Sequence, residues 1–242
     1  TDYGALSTYV KTLSLPRVTH NIKTEMRPND AIDTIAEELR PSDLDESWIP
    51  VCTQGDGNCC VRSIAHTALG DENRYMEVRV RMVVEAINHE RRYINSHTME
   101  SGRRVADGKY KIPDFYADMS AHAPSRKRGE KITRQYLCRS FHNEIFHASR
   151  DEAWLGMWPI HVAATACKVV IRVVHPREGD RDRNAIYDRT IHPAIEHKDA
   201  PEIAIMWTST ALQQEKGHNS LRETRLKTIN HFVPLMKKNV EH

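Results

Sequence analysis

The residues best able to do chemistry lie in one short run, Gly55-Asp56-Gly57-Asn58-Cys59-Cys60. A thiol attacks as the thiolate, yet a free cysteine titrates near about 8.5. A helix N-terminus helps, because its first N–H groups have no intrahelical partner and carry partial positive charge. Glycine just before it lets the backbone come close to a substrate. Cys59 has both features, since the glycine-containing turn precedes it and a helix is predicted to start at it. The same strand-turn-helix elbow can aim backbone N–H groups at the oxyanion of a tetrahedral intermediate. Cys60 would point about 100° away from Cys59 on such a helix and reads as a small core residue. A cysteine nucleophile also needs a base, and fourteen histidines are available. His231 stands out because it opens the apolar run Phe232-Val233-Pro234-Leu235 after a polar loop. On spacing alone, a surface histidine at a strand start is still the better reading.

Other chemistries find less support. The five cysteines form no CxxC pair, so no structural zinc site is expected, and their odd number does not fit a disulfide framework. They read as thiols of a reducing cytoplasmic or nuclear compartment, with Cys52, Cys138 and Cys167 expected to be buried. The run HNEIFH (142–147) lacks HExxH spacing, so no metal is assigned. No phosphate loop, dinucleotide fingerprint or GxSxG motif occurs, and no cofactor is expected. The basic stretch RKRGEKITR (126–134) reads as a solvated loop and helix start. With 35 Lys+Arg against 33 Asp+Glu, a nucleic-acid partner is not expected. There is no apolar run of about 18 residues, so no membrane partner is expected, and Thr1–Val10 lacks a signal-peptide pattern. A hydrophobic content of 39 % with balanced charge excludes a disordered tail.

The elements that must position these residues follow from periodicity. Residues 30–39 read as a short helix capped by Asp30, with Ile32, Ile35 and Leu39 on one side. Residues 48–52 read as extended. A helix is predicted over 59–69 and a longer one over 72–94, whose arginines cover the sides away from the core. Residues 95–150 form a loop-rich helical insertion, with a short helix near Phe115 and a longer one over 131–147. A helix over 154–167 should break near Pro159. Strands are predicted at 169–174, 185–191, 202–207 and 231–236. Helices first and strands later make this an α+β chain. Residues 1–45 are read as an N-terminal extension, 46–236 as the catalytic domain and 237–242 as a tail.

The run GDGNCCVRSIAHTALG (55–70) resembles the catalytic turn and helix of the ovarian-tumour (OTU) cysteine proteases. Three later segments are similar to that family in the same order. They are the arginine-rich RYMEVRVRMVVEAINHERRYI (74–94), the Trp-Gly segment with its helix and strand AWLGMWPIHVAATACKVVIRVVHP (153–176), and IAIMWT followed by NHFVPL. The wording of the late segments is closest to the OTU-like modules of animal mobile elements. The resemblance implies a papain-like fold, a small central sheet flanked by helices. It implies Cys59 as nucleophile, His231 as general base, Asp56 as the brace of the turn, and an oxyanion site at Gly57 and Asn58. It further implies hydrolysis after the C-terminal Gly-Gly of ubiquitin, polyubiquitin or a ubiquitin-like modifier by a monomer. A non-catalytic ubiquitin-binding module and a polyprotein-processing protease are the alternatives. One departure is plain. Many members carry Asp or Asn two residues after the histidine, on the same strand face, and here that position is Val233. Some members draw the acid from upstream of the nucleophile, where Asp43 and Asp45 are the candidates here.

Overall fold

A computed structural model of the chain describes residues 3–100, 111–127, 129–176, 186–209 and 229–238. Seven helices precede or interleave with five strands among them. They are α1 (Tyr3–Val10), α2 (Thr34–Leu39), β1 (Trp48–Pro50), α3 (Cys59–Ala68), α4 (Tyr75–Asn88), α5 (Ile112–Asp118), α6 (Arg134–Ala148), α7 (Met157–Cys167), β2 (Val170–Val174), β3 (Arg189–Ile191), β4 (Glu202–Thr208) and β5 (His231–Lys237). The strands form one sheet in the order β1-β5-β4-β2-β3. β2 and β4 are parallel, joined through β3, and the other pairings are antiparallel. This is the α+β architecture expected.

The two faces of the sheet bury different partners, as strand alternation requires. Phe232 of β5, Trp207, Ile205 and Ile203 of β4, and Val173 and Ile171 of β2 join the main core with α3, α4, α6 and α7. The residues between them, Val233, Leu235, Ala204, Met206 and Val174, form a smaller core under Ala36 and Leu39 of α2. α3 is buried along its whole length, from Cys59 to Ala68. The 55–58 turn therefore leads into a helix that has no solvent face.

Several boundaries differ from the sequence expectation, each for a local reason. Residues 30–33 are not helical, because Ile32 bridges Val51 and the Asp33 N–H donates to the Pro50 carbonyl. Asp33 rather than Asp30 is the N-cap of α2, its Oδ1 accepting from the Ala36 N–H at 2.8 Å. The predicted 72–94 helix is a 3-10 turn at Glu72–Arg74, then α4, then a second 3-10 turn at Glu90–Arg92. Pro159 does not break α7. The helix starts at Met157 with Gly156 as its N-cap, so proline falls in the first turn, where its missing N–H costs nothing. Of the predicted 185–191 strand only Arg189–Ile191 is strand, and Ala185 lies outside the described residues. Residues 1–29 show no period, yet Tyr3–Val10 is helical; Val10 is buried in the main core and Tyr3 stacks on His142 at 4.0 Å.

Candidate active site

The turn before α3 is held from two directions. Within the turn, Asp56 Oδ1 accepts from the Asn58 N–H at 2.9 Å, while its Oδ2 takes the Arg62 guanidinium at 2.6 Å. Burial pushes the Asp56 carboxyl up, but these bonds outweigh it and hold it down at about 2. The carboxylate thus ties the turn to the second turn of α3. Arg62 also lies 4.0 Å from the Tyr75 ring centroid.

The second direction is a buried network that periodicity missed. Asn58 is 1 % exposed. Its Nδ2 donates to Asp151 Oδ1 at 3.0 Å, and its Oδ1 accepts from the Glu152 N–H and from Arg79. Arg79 does not cover an outer side of α4 as expected; it is 1 % exposed and donates to Asn58 Oδ1, the Ala148 carbonyl and the Ala153 carbonyl. Its flat fork of five donors reaches three acceptors on two segments, which a lysine cannot do. Gly57 completes the junction. Its φ is +78°, and a Cβ there would sit 2.1 Å from the Glu152 carbonyl oxygen. Glu152 itself has a positive φ of 58°. The only sequence signal for this network was the arginine-rich second helix noted in the resemblance.

Cys59 begins α3 beside the head of β5. Its sulfur receives the Phe232 and Cys60 backbone N–H groups, while burial pushes the thiol pKa upward against them. It is 5 % exposed. The helix N-terminus therefore does not by itself yield a resting thiolate, contrary to the expectation that the surroundings of Cys59 favour one. Cys60 is fully enclosed, and burial drives its thiol well above the usual range. That agrees with its reading as a core residue. Cys167 is also buried and pushed up to about 12, but Cys138 is only partly buried and Cys52 is exposed, correcting the expectation for both.

His231 opens β5 and is 4 % exposed. Burial lowers its pKa; Asp33, a backbone hydrogen bond to Thr53 and Asp56 push the other way. Its Nδ1 has no hydrogen-bond partner. The chain thus brings a neutral thiol and a neutral imidazole to adjacent places, Cys59 against the Phe232 amide and His231 one residue before it. Val233 lies on the His231 face, in the apolar cluster under α2, and cannot orient the ring. Asp45 is occupied locally, accepting from the Ser47 N–H, and Asp43 is exposed on the same turn. The described residues contain no group of three or more His, Cys, Asp or Glu side chains placed to hold a metal ion.

This site on this sheet defines an OTU-type domain. The chain belongs to the family described as "Vertnin, OTU domain", whose profile matches residues 50–208, more than half of it. The matched region contains Asp56, Gly57, Asn58 and Cys59 and ends with β4, before His231. Among curated proteins it is similar to vertnin of Danio rerio, 24 % identical over 187 residues, and of Bos taurus, 21 % identical over 188 residues. These matches cover 76 % and 77 % of this chain but 26 % of each relative, so the chain spans about a quarter of their length. Among solved structures it is similar to the OTUD1 OTU domain, with a TM-score of 0.41, 14 % identity and coverage of 78 % of this chain and 86 % of that one. It is also similar to the viral OTU domain protease from Farallon virus, with a TM-score of 0.40, 13 % identity and coverage of 92 % and 98 %.

Proposed function

We propose that the domain is a thiol-dependent hydrolase acting after the C-terminal Gly-Gly of ubiquitin or a ubiquitin-like protein, in a reducing cytoplasmic or nuclear compartment. What carries the reading is one juxtaposition. Cys59 stands at the N-terminus of a buried helix with its sulfur under the Phe232 amide, next to His231 with a bare Nδ1. In the proposed reaction the Cys59 thiol gives its proton to His231 and attacks the carbonyl of the terminal glycine. The N–H groups of Gly57 and Cys59 hold the oxyanion, because the Asn58 N–H expected to share that role is taken by Asp56. His231 then protonates the leaving lysine amine, and the thioester forms. Water, deprotonated by His231, releases the acyl group and returns the thiol. Because burial keeps both groups neutral at rest, the ion pair forms only as substrate enters.

A second reading is favoured by a specific observation. Cys59 and His231 are both almost inaccessible, and Val233 stands where a polar partner is usual. That suits a domain that binds ubiquitin without cleaving it. Ubiquitin carrying a C-terminal thiol-trapping warhead separates the two readings. The protease reading expects an adduct that Cys59→Ala abolishes and Cys60→Ala retains. Absence of any adduct while ubiquitin still binds would establish the non-catalytic reading, and an adduct that survives Cys59→Ala would move the nucleophile elsewhere.

A further inference from the structure

A helix packed on one side of a domain buries one apolar stripe and turns polar residues to water elsewhere. α4 carries two stripes. Val78, Met82, Val83, Ala86 and Ile87 face the main core. Met76, Val80 and Val84 follow one another every fourth residue, so they line up along a second side of the helix. α1 reaches this side through Leu6 and Val10 but leaves it partly open. Tyr9, Met76 and Val80 are 64 %, 39 % and 38 % exposed, three of the six large apolar side chains exposed among the described residues. Such side chains need no explanation singly, but three on one face form a patch.

The patch is a ridge between two clefts, because Met76 and Val80 line both. One cleft has Tyr9 and Leu13 as its far wall, on α1 and the turn that ends it. The other has Leu15, Pro16 and Arg17. Neither wall is loose. The Leu13 N–H donates to the Val10 carbonyl at 2.9 Å, and the Arg81 guanidinium donates to the Pro16 carbonyl at 2.8 Å, which holds the 15–17 strap on α4. A groove with fixed walls loses little entropy when it is filled. Arg79, whose side chain reaches Asn58, also lines the cleft beside α1.

The charges beside the ridge select the occupant. Arg17, Arg74 and Arg81 line the outer cleft, and Glu77 is its only carboxylate among the described residues. Arg74 and Arg81 share Glu77, at 2.6 Å and 2.8 Å, so one carboxylate answers two guanidinium groups. Arg17 is exposed and adds a further positive charge to the rim. We infer that this face of α1 and α4 docks an amphipathic helix of another protein, with its apolar residues astride Met76 and Val80 and its carboxylates toward Arg17 and Arg74. The paired steps of four residues, Tyr9 to Leu13 and Met76 to Val80, match the spacing that a helix presents on one face. A second copy of this chain is the poorer occupant. A two-fold contact sets the same patch against itself and would bring one arginine rim against the other.

A display library of random peptides, selected on the full chain and counter-selected on its Val80→Glu variant, tests this without a catalytic readout. The surviving peptides should carry apolar residues three and four apart with an excess of Asp and Glu. They should bind the wild type about tenfold more tightly than Val80→Glu. Arg17→Glu alters an exposed side chain and should weaken them at low salt but much less at high salt. An unchanged Tm checks that both variants fold, and Met76→Gln carries the same comparison if Val80→Glu does not. Absence of any enriched peptide, enrichment without an acidic excess, or binding that ignores all three substitutions overturns the inference. A dimer in sedimentation that Val80→Glu disperses would give the face to a second copy and overturn it as well. A failed warhead reaction sinks the protease reading and leaves this surface standing, and a failed selection does the reverse.

Discussion

Cys59 and Cys60 are neighbours in sequence with different fates, and the difference is one of direction. The first begins α3 beside the Phe232 amide, which works against burial to lower its thiol pKa; the second faces the core. Because burial raises both thiols, small alkylating reagents should find neither first. Exposed Cys52 is the expected early target of iodoacetamide in the native chain at pH 8, with Cys59 modified only slowly. Peptide mapping after timed labelling checks this, and fast, selective labelling of Cys59 would show a preformed thiolate that the buried geometry opposes. Arg79 belongs to the same scale. Its buried fork binds three acceptors around the turn, so Arg79→Met should cost about 3 kcal/mol of stability and Arg79→Lys most of that, read by denaturant unfolding. Gly57→Ala should be worse for activity than for stability, because the Glu152 carbonyl must move and take the turn with it.

At the scale of elements, the helices that matter are placed by their ends. α3 begins at Cys59, α2 at Asp33, and α7 at Gly156, whose N–H donates to the buried carboxylate of Glu144. Glu144 also accepts from Ser120 Oγ and the His122 N–H, so α6 gathers the 119–122 loop and the start of α7 around one acceptor. Burial raises its pKa against those donors. Glu144→Gln would turn an NH2 group toward groups that are themselves donors. It should lower stability by about 2 kcal/mol. It should also loosen the 149–156 segment that faces Gly57 and Asn58, which amide exchange of residues 151–156 would register. Exchange unchanged from wild type would show that Asn58 and Arg79 hold the segment without help from Glu144. Periodicity found α3, α6 and β2, β4 and β5 to within a few residues, because each buries one face or all of itself. It misplaced the start of α2 and ran the predicted 72–94 helix through His89, because those limits are set by a bridge to β1 and by local 3-10 turns rather than by a hydrophobic stripe.

At the scale of the molecule, buried histidines make the fold acid-sensitive. His161 is pushed down to about 3 by burial, with the charge of Arg189 adding to it, and burial also lowers His66 and His231. An unfolded histidine titrates near about 6.5, so below that pH the unfolded chain binds protons that the folded chain refuses. The stability these groups contribute is complete above about pH 6.5 and is lost as pH falls toward their folded values. Asp56, held at about 2, acts in the same direction at lower pH: its contribution is present above about pH 4 and lost as pH falls through 2. Tm should therefore decline from pH 6.5 to 4, and His161→Leu should flatten the decline. A Tm that is level across that range in the wild type would contradict the burial of these rings.

The sequence by itself determined the local part of this protein: the GDGN turn, the helix behind it, the apolar strands and the histidine at the head of the last one. These are written in neighbouring residues, since turn chemistry, capping and alternation act over a few positions. Only the tertiary structure decided what Cys59 and His231 experience. Whether Cys59 is a thiol or a thiolate depends on burial by β5 and α3, and whether Asn58 is a surface turn residue or a buried strut depends on Arg79 and the 148–153 segment. Solvation and electrostatics are set by which distant segments close over a group, and that information is spread across the whole chain.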